Sequence, residues 1–137
     1  MPVEHDPKAL VRAYYEAAYN GRDPEALDSY LAPGFTSAGP GGLMDLAGHR
    51  AALGASLLAL PDLVLAVEEQ VAEGNAVVTR WRATGTHSGP LFGIPATGRA
   101  VVARAIHVHH VEGGRIIDQW EQFDALDVLR QLGVLPG

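Results

Sequence analysis

Residues 105–123 read AIHVHHVEGGRIIDQWEQF, and this stretch decides the fold class. Apolar and polar residues alternate on both sides of a short Glu-Gly-Gly segment, a pattern typical of two antiparallel strands joined by a tight turn. Histidines, acids and glutamines occupy many of the polar positions. We therefore predict a β-hairpin that carries several groups able to exchange protons or donate hydrogen bonds.

The same alternation begins earlier in the chain, directly after Pro61. It predicts four strands, over residues 63–72, 76–86, 99–111 and 115–123. The connections EGN (73–75) and EGG (112–114) are short, so each should join an antiparallel pair. The segment between the two hairpins, HSGPLFGIPATG (87–98), is rich in Gly and Pro, and loops of this length are often functional lids or binding loops.

Helix signals fill the first 60 residues. Asp-Pro pairs at 6–7 and 23–24 are typical N-cap and first-turn residues, and Pro33–Gly34 should end the second helix. A brief extended piece is expected at Phe35–Ala38, followed by a flexible GPGG segment. Asp124 should cap a last helix that ends at Gly133. The predicted helices span residues 7–20, 24–32, 45–60 and 125–132.

Helices followed by an antiparallel sheet predict an α+β fold, and the length of 137 residues favours a single domain over residues 1–137. The helices must cover one face of the sheet to bury the apolar side chains of both. We expect a curved, cone-shaped antiparallel sheet wrapped on the N-terminal helices, with a pocket between the two layers.

Composition limits the expected partners. The chain has 10 Lys and Arg against 16 Asp and Glu, a formal charge of −6, which disfavours nucleic acid and anionic membrane surfaces. It has no cysteine, so disulfides and thiolate metal ligands are excluded. The opening MPVEHDPKAL lacks the features of a secretory leader, and no apolar run reaches the length of a membrane span. A cytoplasmic location is the expectation.

The register of the last hairpin decides which side chains share a face. A three-residue turn with Gly114 in the left-handed conformation would place His107 and Glu121 on one face as diagonal neighbours. A two-residue turn at Gly113–Gly114 would instead put His107 beside Trp120 and Glu121 on the opposite face. We favour the first register, because Glu-Gly-Gly-Arg suits a turn with a glycine bulge. It predicts the pairs His107–Gln119, His109–Ile117 and Ala105–Glu121, and an outer face of Ile106, Val108, His110, Ile116, Asp118, Trp120 and Gln122.

Three stretches together resemble the SnoaL-like polyketide cyclase (ester cyclase) family of the nuclear transport factor 2 superfamily. They are YYEAAYNGRDPEALDSYLAPGF (14–35), ATGTHSGPLFGIPATGR (83–99) and VHHVEGGRIIDQWEQFDALDVLRQLG (108–133). The resemblance covers nearly the whole chain. It implies a cone-shaped α+β barrel, a homodimer, and an intramolecular aldol reaction that closes the last ring of an aromatic polyketide ester without a metal or organic cofactor.

The resemblance also implies which residues act. The family's acid/base is an aspartate after a tryptophan of the last strand, and a histidine lies on the neighbouring strand. Here these positions hold Glu121 and His107, so the carboxylate is carried one methylene further, about 1.3 Å by ordinary bond geometry. Where the family often has Asn or His after the second helix, this chain offers Ser37. We expect substrate to be bound by a further group of residues: His109, Gln119, Trp81, Tyr14, Phe35 and Met44.

Other interpretations of these residues stay open. The same fold supports isomerases, hydrolases, hydroxylation accessories and non-catalytic carriers, because a fold does not determine a reaction. Epoxide hydrolysis would need Asp118 with Arg80 or Arg82 facing inward, whereas a carrier would turn Glu121 or His107 outward. Asp118 is otherwise expected to pair with an arginine on the outer face. His107 and His109 lack an evident third ligand for a metal, so no metal site is expected.

Overall fold

The computed structural model describes residues 6–135 and contains a helical layer packed on one face of a curved six-stranded sheet. Helix α1 (Pro7–Tyr14) continues directly into a π-helical segment (Tyr15–Asn20). A 3₁₀ turn (Pro24–Ala26) leads into the short α2 (Leu27–Tyr30). The longer α3 (Leu46–Ala59) and the last helix α4 (Ala125–Gln131) complete the layer. The predicted α+β class is confirmed.

Aspartate side chains cap the helix starts, as the Asp-Pro signals predict. Asp6 accepts a hydrogen bond from the backbone N–H of Lys8, and Asp124 accepts one from Asp127. Asp23 and Asp45 cap the 3₁₀ turn and α3 in the same way. Such caps satisfy N–H groups that have no partner inside the helix. The interpretation of Asp124 as an N-cap is therefore confirmed.

The sheet has the strand order β2-β1-β6-β5-β4-β3 and remains open. Its last four strands agree closely with the predicted bounds. The four predicted strands pair antiparallel as expected, and of the remaining neighbours β1 and β2 are antiparallel whereas β1 and β6 run parallel. The strands are β1 (Leu31–Gly39), β2 (Gly42–Asp45), β3 (Val64–Glu73), β4 (Ala76–Thr86), β5 (Ala100–Glu112) and β6 (Arg115–Phe123).

The second helix ends earlier than predicted, at Tyr30, and β1 runs through Pro33 and Gly34. Proline cannot donate a ladder hydrogen bond, so it is tolerated in a strand only where pairing is interrupted. Pairing with β6 is irregular between Leu31 and Thr36, and both Pro33 and Gly34 fall inside that gap. The Pro-Gly pair therefore marks an irregularity in a strand, and the expected short extended piece is one part of β1.

The last hairpin turns at Gly113–Gly114, both with positive φ, and Glu112 pairs with Arg115. The three-residue turn that we favoured is thus wrong, and the two-residue alternative is present. However, the ladder then shifts, because Val111 pairs with Ile116 whereas His110 pairs with Asp118. The extra residue of this β-bulge is Ile117, and it reverses the alternation beyond it.

Beyond the bulge, His107 and Glu121 share one face of the sheet, as the favoured register predicted, but the pairs of opposed residues differ from the predicted ones. His107 lies directly opposite Glu121, and His109 opposite Gln119, instead of one pair further along. Ile116 precedes the bulge and is fully buried, so its predicted position on the outer face is wrong. The direct pairing brings the side chains of His107 and Glu121 closer than the diagonal arrangement would.

The core lies between the helices and the inner face of the sheet. Tyr14, Tyr15 and Phe35 are its largest fully buried apolar side chains. Within residues 6–135, seven polar side chains are also buried, and such groups need hydrogen-bond partners inside the protein. These are Ser37, His49, Thr79, His87, His107, His109 and Gln119. No helix within residues 6–135 has the length and apolar character needed to cross a membrane.

Candidate active site

A cavity of about 280 Å³ opens between the helices and the inner face of the sheet. Its wall is mostly apolar, with a few polar side chains at one end, an arrangement typical of small-molecule sites. The polar residues that line it include Tyr19, His49, Gln119 and Glu121. The apolar wall comes from the ends of the strands, from α3 and from the loop between β4 and β5, with Met44, Leu53, Leu65, Trp81, Val101 and Phe123 among its members.

Glu121 and His107 form a close pair at the polar end. His107 Nε2 lies 2.7 Å from Glu121 Oε2. The His107 side chain is fully buried, whereas 27% of the Glu121 side chain remains exposed, and only Glu121 lines the cavity. A substrate in the cavity would therefore meet the carboxylate directly and the imidazole only through it.

Trp81 and Tyr15 surround the other ring nitrogen of His107. The indole N–H of Trp81 donates to His107 Nδ1 over 3.2 Å, and the Tyr15 hydroxyl lies 2.8 Å from the same atom. Because an indole nitrogen can only donate, Nδ1 must carry the lone pair. His107 is then the neutral tautomer with its proton on Nε2, and that proton is donated to Glu121.

Gly39 leaves room beside the carboxylate. A Cβ atom at this position would lie 3.1 Å from Glu121 Cβ and 3.4 Å from Glu121 Oε1. The first distance is tighter than ordinary van der Waals contact, and the second is at its lower limit. The absence of a side chain at residue 39 thus keeps Oε1, the oxygen that does not accept from His107, accessible within the cavity wall.

A second polar row runs beside the first. His109 Nε2 lies 2.8 Å from Gln119 Oε1, and the amide nitrogen of Gln119 donates to Ser37 Oγ over 3.2 Å. Burial lowers the pKa of His109 well below its usual range, so His109 is neutral and donates from Nε2. The amide of Gln119 is thereby held against the cavity wall.

A third histidine, His49, reaches the cavity from α3. Its Nε2 lies 2.8 Å from the Tyr14 hydroxyl, and its ring packs against Phe35 with 5.1 Å between ring centres. Burial lowers the pKa of His49 to about 4, so the ring is neutral at neutral pH. Burial likewise raises the pKa of the phenols of Tyr14, Tyr15 and Tyr19, which keep their protons.

The predicted site residues fall into two groups. Glu121, Gln119, Trp81 and Met44 line the cavity, as a site there requires. His107 lies behind Glu121. The three others predicted to bind substrate are fully buried and do not line the cavity in this structure: Tyr14, Phe35 and His109.

Sequence reasoning missed His49 and the hydrogen bonds of Tyr15. A usable signal existed for His49, since it lies four residues before Leu53 and thus on the buried face of a predicted helix. Tyr15 gave no comparable signal. Its contact with His107 spans 92 residues of sequence and depends on the π-helical segment that begins at Tyr15.

The outer face does not offer a second site of the kinds considered. Asp118 pairs with His110 over 2.7 Å, so the arginine partner expected for it is wrong. Arg80 pairs with Glu68 and Glu69 on the exposed side of the sheet. Within residues 6–135, no three His, Asp or Glu side chains lie close enough together to hold a metal ion.

Comparison with known proteins agrees with this geometry. Residues 9–132 match the sequence model of the family described as SnoaL-like polyketide cyclase. No match was found among curated proteins. The chain is similar in structure to IdmH of Streptomyces antibioticus, a candidate polyketide cyclase, with 31% identity and a TM-score of 0.82 over 95% of this chain and 100% of that chain.

Two further structures are similar. A candidate polyketide cyclase from Acidithiobacillus ferrooxidans shares 29% identity, with a TM-score of 0.84 over 97% of this chain and 98% of that one. AclR of Streptomyces galilaeus, a candidate hydroxylase, shares 26% identity, with a TM-score of 0.88 over 96% and 87% of the two chains. With its sequence matched from residue 9 to residue 132, the chain belongs to the SnoaL-like polyketide cyclase family.

Proposed function

We propose that this protein catalyses a cofactor-independent intramolecular aldol cyclisation of an aromatic polyketide ester by acid/base chemistry. The observation that carries the proposal is the Glu121–His107 pair, in which a carboxylate faces an apolar cavity and a neutral imidazole donates to it from behind. A carboxylate held in one orientation at the wall of a cavity can act as a general base toward a substrate bound there.

Glu121 is the acid/base in this proposal. Its carboxylate removes a proton from a methylene group that lies between two carbonyls of the substrate, leaving an enolate. The enolate carbon attacks a second carbonyl of the same molecule, so a carbon–carbon bond forms and that carbonyl oxygen becomes an alkoxide. Glu121 returns the proton to the alkoxide. The product is an isomer of the substrate and the carboxylate is regenerated.

His107 acts as a positioning residue. It donates to Oε2, so Oε1 on the side of Gly39 is the oxygen left to meet the substrate. A fixed carboxylate matters because a displacement of about 1 Å can reduce a rate by roughly a hundredfold. The extra methylene of Glu121, relative to the family's aspartate, is accommodated where residue 39 has no side chain.

Developing negative charge on the substrate needs hydrogen-bond donors in the cavity. Gln119 and His49 both line it and are both held by partners behind the wall. We assign the stabilisation of the enolate and alkoxide oxygens to the amide N–H group of Gln119. Tyr14 donates its own proton to Tyr19, so the neutral His49 donates its Nε2 proton to Tyr14 and has no proton left for the substrate.

The alternatives considered from the sequence gain less support. Epoxide hydrolysis required Asp118 and an arginine inside the cone, and Arg80 and Asp118 face away from the cavity. A non-catalytic carrier required Glu121 or His107 to turn outward. Hydroxylation keeps one supporting observation, the structural likeness to AclR.

The test is turnover of an aromatic polyketide methyl ester with a 1,3-dicarbonyl side chain, followed by mass spectrometry. Glu121→Gln should reduce the rate by about 10²–10⁴-fold, the usual contribution of a positioned acid/base. Asp118→Asn, the same change in the outer pair, should leave it unaltered. A product heavier by one oxygen atom would support hydroxylation instead, and undiminished cyclisation by Glu121→Gln would refute the assignment.

We also propose that two copies of the chain pair through the outer face of the sheet. A row of apolar side chains crosses this face from strand to strand, formed by Val71, Val78, Val108 and Trp120. Trp120 is 57% exposed, and exposed apolar patches of this kind often mark interfaces. Light scattering should give the mass of a dimer, and Trp120→Glu should shift it toward the monomer.

A further inference from the structure

The loop between β4 and β5, residues 87–99, is held firmly at its base. The His87 N–H donates to the Arg99 carbonyl, the Gly98 N–H donates back to the His87 carbonyl, and both distances are 2.8 Å. Thr97 donates its N–H to His87 Nδ1 over 3.2 Å. The N–H of Ser88 donates to the Ala59 carbonyl at the end of α3. The loop therefore projects from a rigid base.

The tip of this loop has an unusual backbone. Leu91 and Ile94 exchange two hydrogen bonds around a two-residue turn, in which Phe92 has φ of 52° and Gly93 has φ of 75°. Turns of this type favour Asn, Asp or Gly at both central positions, because a bulky side chain disfavours positive φ. A phenylalanine at residue 92 is thus conformationally unfavourable.

Packing within the protein does not explain the choice of phenylalanine. Phe92 is 52% exposed, so much of its apolar surface stays in contact with water. Its nearest aromatic neighbour is Phe123, with 6.1 Å between ring centres and 49° between ring planes. Both residues line the cavity, and the exposure of Phe92 places it where the cavity meets solvent.

We propose that Phe92 is a specificity-determining residue that, together with Phe123, recognises the planar aromatic ring system of the substrate at the cavity mouth. Aromatic rings bind each other through offset or tilted stacking, and a ring with two torsions loses little entropy on binding. Backbone strain retained at an exposed position is typical of sites where a side chain serves a ligand. The inference extends the proposed function, since it concerns the same cavity.

The test compares two ligands and several variants. Methyl 2-naphthoate has a planar ring system, and methyl decahydronaphthalene-2-carboxylate has the same skeleton saturated and puckered. Calorimetry gives the dissociation constant of each. Wild-type protein should bind the naphthoate more tightly, and Phe92→Asn and Phe92→Leu should weaken naphthoate binding by about tenfold, while the saturated ester changes by about twofold or less. Phe92→Tyr, which keeps a ring, should bind as the wild type does.

Thermal unfolding separates the ligand role from a structural one. Asparagine tolerates the left-handed conformation, so Phe92→Asn should leave Tm unchanged or raise it by about 3 °C, while Phe92→Leu should not raise it. A variant that binds its ligand less tightly and yet unfolds no earlier has lost a binding contact. A marked fall in Tm of Phe92→Asn, or equal weakening of both ligands, would overturn the proposal.

Two controls complete the design. Leu126→Ala removes an apolar side chain of similar exposure that does not line the cavity, and it should leave both dissociation constants unchanged; weakening as large as that of Phe92→Leu would overturn the proposal. Asp118→Asn changes the outer imidazole–carboxylate pair, which does not line the cavity, and it should also leave both dissociation constants unchanged. A protein that prefers the planar ligand but does not cyclise the polyketide ester would support this inference and contradict the proposed function. A protein that cyclises the ester without preferring the planar ligand would support the proposed function and contradict this inference.

Discussion

Strands β5 and β6 carry two imidazole–carboxylate pairs, one on each face of the sheet. His107 and Glu121 lie 2.7 Å apart on the inner face, and His110 and Asp118 lie 2.7 Å apart on the outer face. The inner imidazole is fully buried, whereas the side chains of the outer pair are 35% and 28% exposed. A short distance between these groups therefore does not by itself identify a site.

The two pairs differ in what surrounds them. Trp81 fixes the tautomer of His107 by donating to its second nitrogen, and the helical layer keeps water away from that ring. Water reaches the outer pair, where it competes for the same hydrogen bonds, and dissolved salt screens the charges. Neighbouring side chains hold the inner pair in one orientation, and a catalytic acid/base needs such a fixed orientation.

The largest difference should appear when each imidazole is removed. His107→Leu leaves Trp81, Tyr15 and Glu121 without a buried partner, so the free energy of unfolding should fall by about 3–5 kcal/mol. His110→Leu removes a half-exposed group and should cost about 1 kcal/mol or less. Urea unfolding of both variants measures the contrast. Equal losses would show that burial does not distinguish the pairs.

Acid should destabilise the protein through its buried imidazoles. The pKa of His49 is lowered by burial to about 4, so between about pH 6.5 and pH 4 the unfolded chain binds a proton that the folded chain does not. Stability from this group is complete above about pH 6.5 and is lost as the pH falls to about 4, a total of about 3 kcal/mol. His109 acts in the same direction.

His49→Gln isolates this contribution. Between pH 6 and pH 4.5, the variant should lose stability less steeply than the wild type, by about 1.4 kcal/mol per pH unit. The difference between the two proteins at pH 7 reports the altered packing and the altered hydrogen bond to Tyr14, so the change in that difference on acidification reports titration. Parallel curves from urea unfolding at each pH would contradict the burial of a neutral imidazole at residue 49.

Much of the fold could be predicted from local pattern. The Asp-Pro pairs indicated where the helical segments begin, and the alternation after Pro61 gave four strands within a residue or so. The parallel pairing of β1 with β6 could not be read, because it joins segments more than 80 residues apart. Pro33 and Gly34 also read locally as a helix stop, and only the gap in that pairing explains their place in a strand.

The candidate site could be predicted only in part, because the sequence does not show that Ile117 forms a β-bulge. The sequence offers Ile116 and Ile117 as equivalent residues, and nothing local shows which of them forms the bulge. We predicted the correct face for His107 and Glu121 with the wrong turn, since the bulge offset the error. The contacts of Tyr15 and Trp81 with His107 depend on tertiary packing, so local sequence patterns could not predict them.

A smaller effect is expected when only the tautomer is released. Trp81→Phe keeps an aromatic ring but removes the N–H that donates to His107 Nδ1. The imidazole can then place its proton on either nitrogen, and the tautomer with a lone pair toward Glu121 repels the carboxylate. We expect kcat to fall by about tenfold with KM within about threefold, a smaller loss than the one caused by misplacing a catalytic group outright.

Two measurements test this tautomer effect. Nitrogen NMR shifts of the His107 ring should indicate a proton on Nε2 in the wild type and a mixture in Trp81→Phe. Trp120→Phe is the matched control, because Trp120 is exposed on the outer face and does not line the cavity. A purely structural role for Trp81 would lower stability without changing the nitrogen shifts, and that result would remove His107 tautomer control from the mechanism.

The smallest effect belongs to the outer pair. A double-mutant cycle with His110→Gln and Asp118→Asn should give a coupling energy of about 0.5 kcal/mol that declines further in high salt. The matching cycle with His107→Gln and Glu121→Gln should give a larger coupling that salt hardly changes, because ions do not reach the buried ring. Both pairs lie on the same two strands at the same distance, so the contrast in salt dependence reports how far ions reach each pair. If salt weakens the two couplings equally, ions reach the inner pair as readily as the outer pair, and the burial of His107 does not set the two pairs apart.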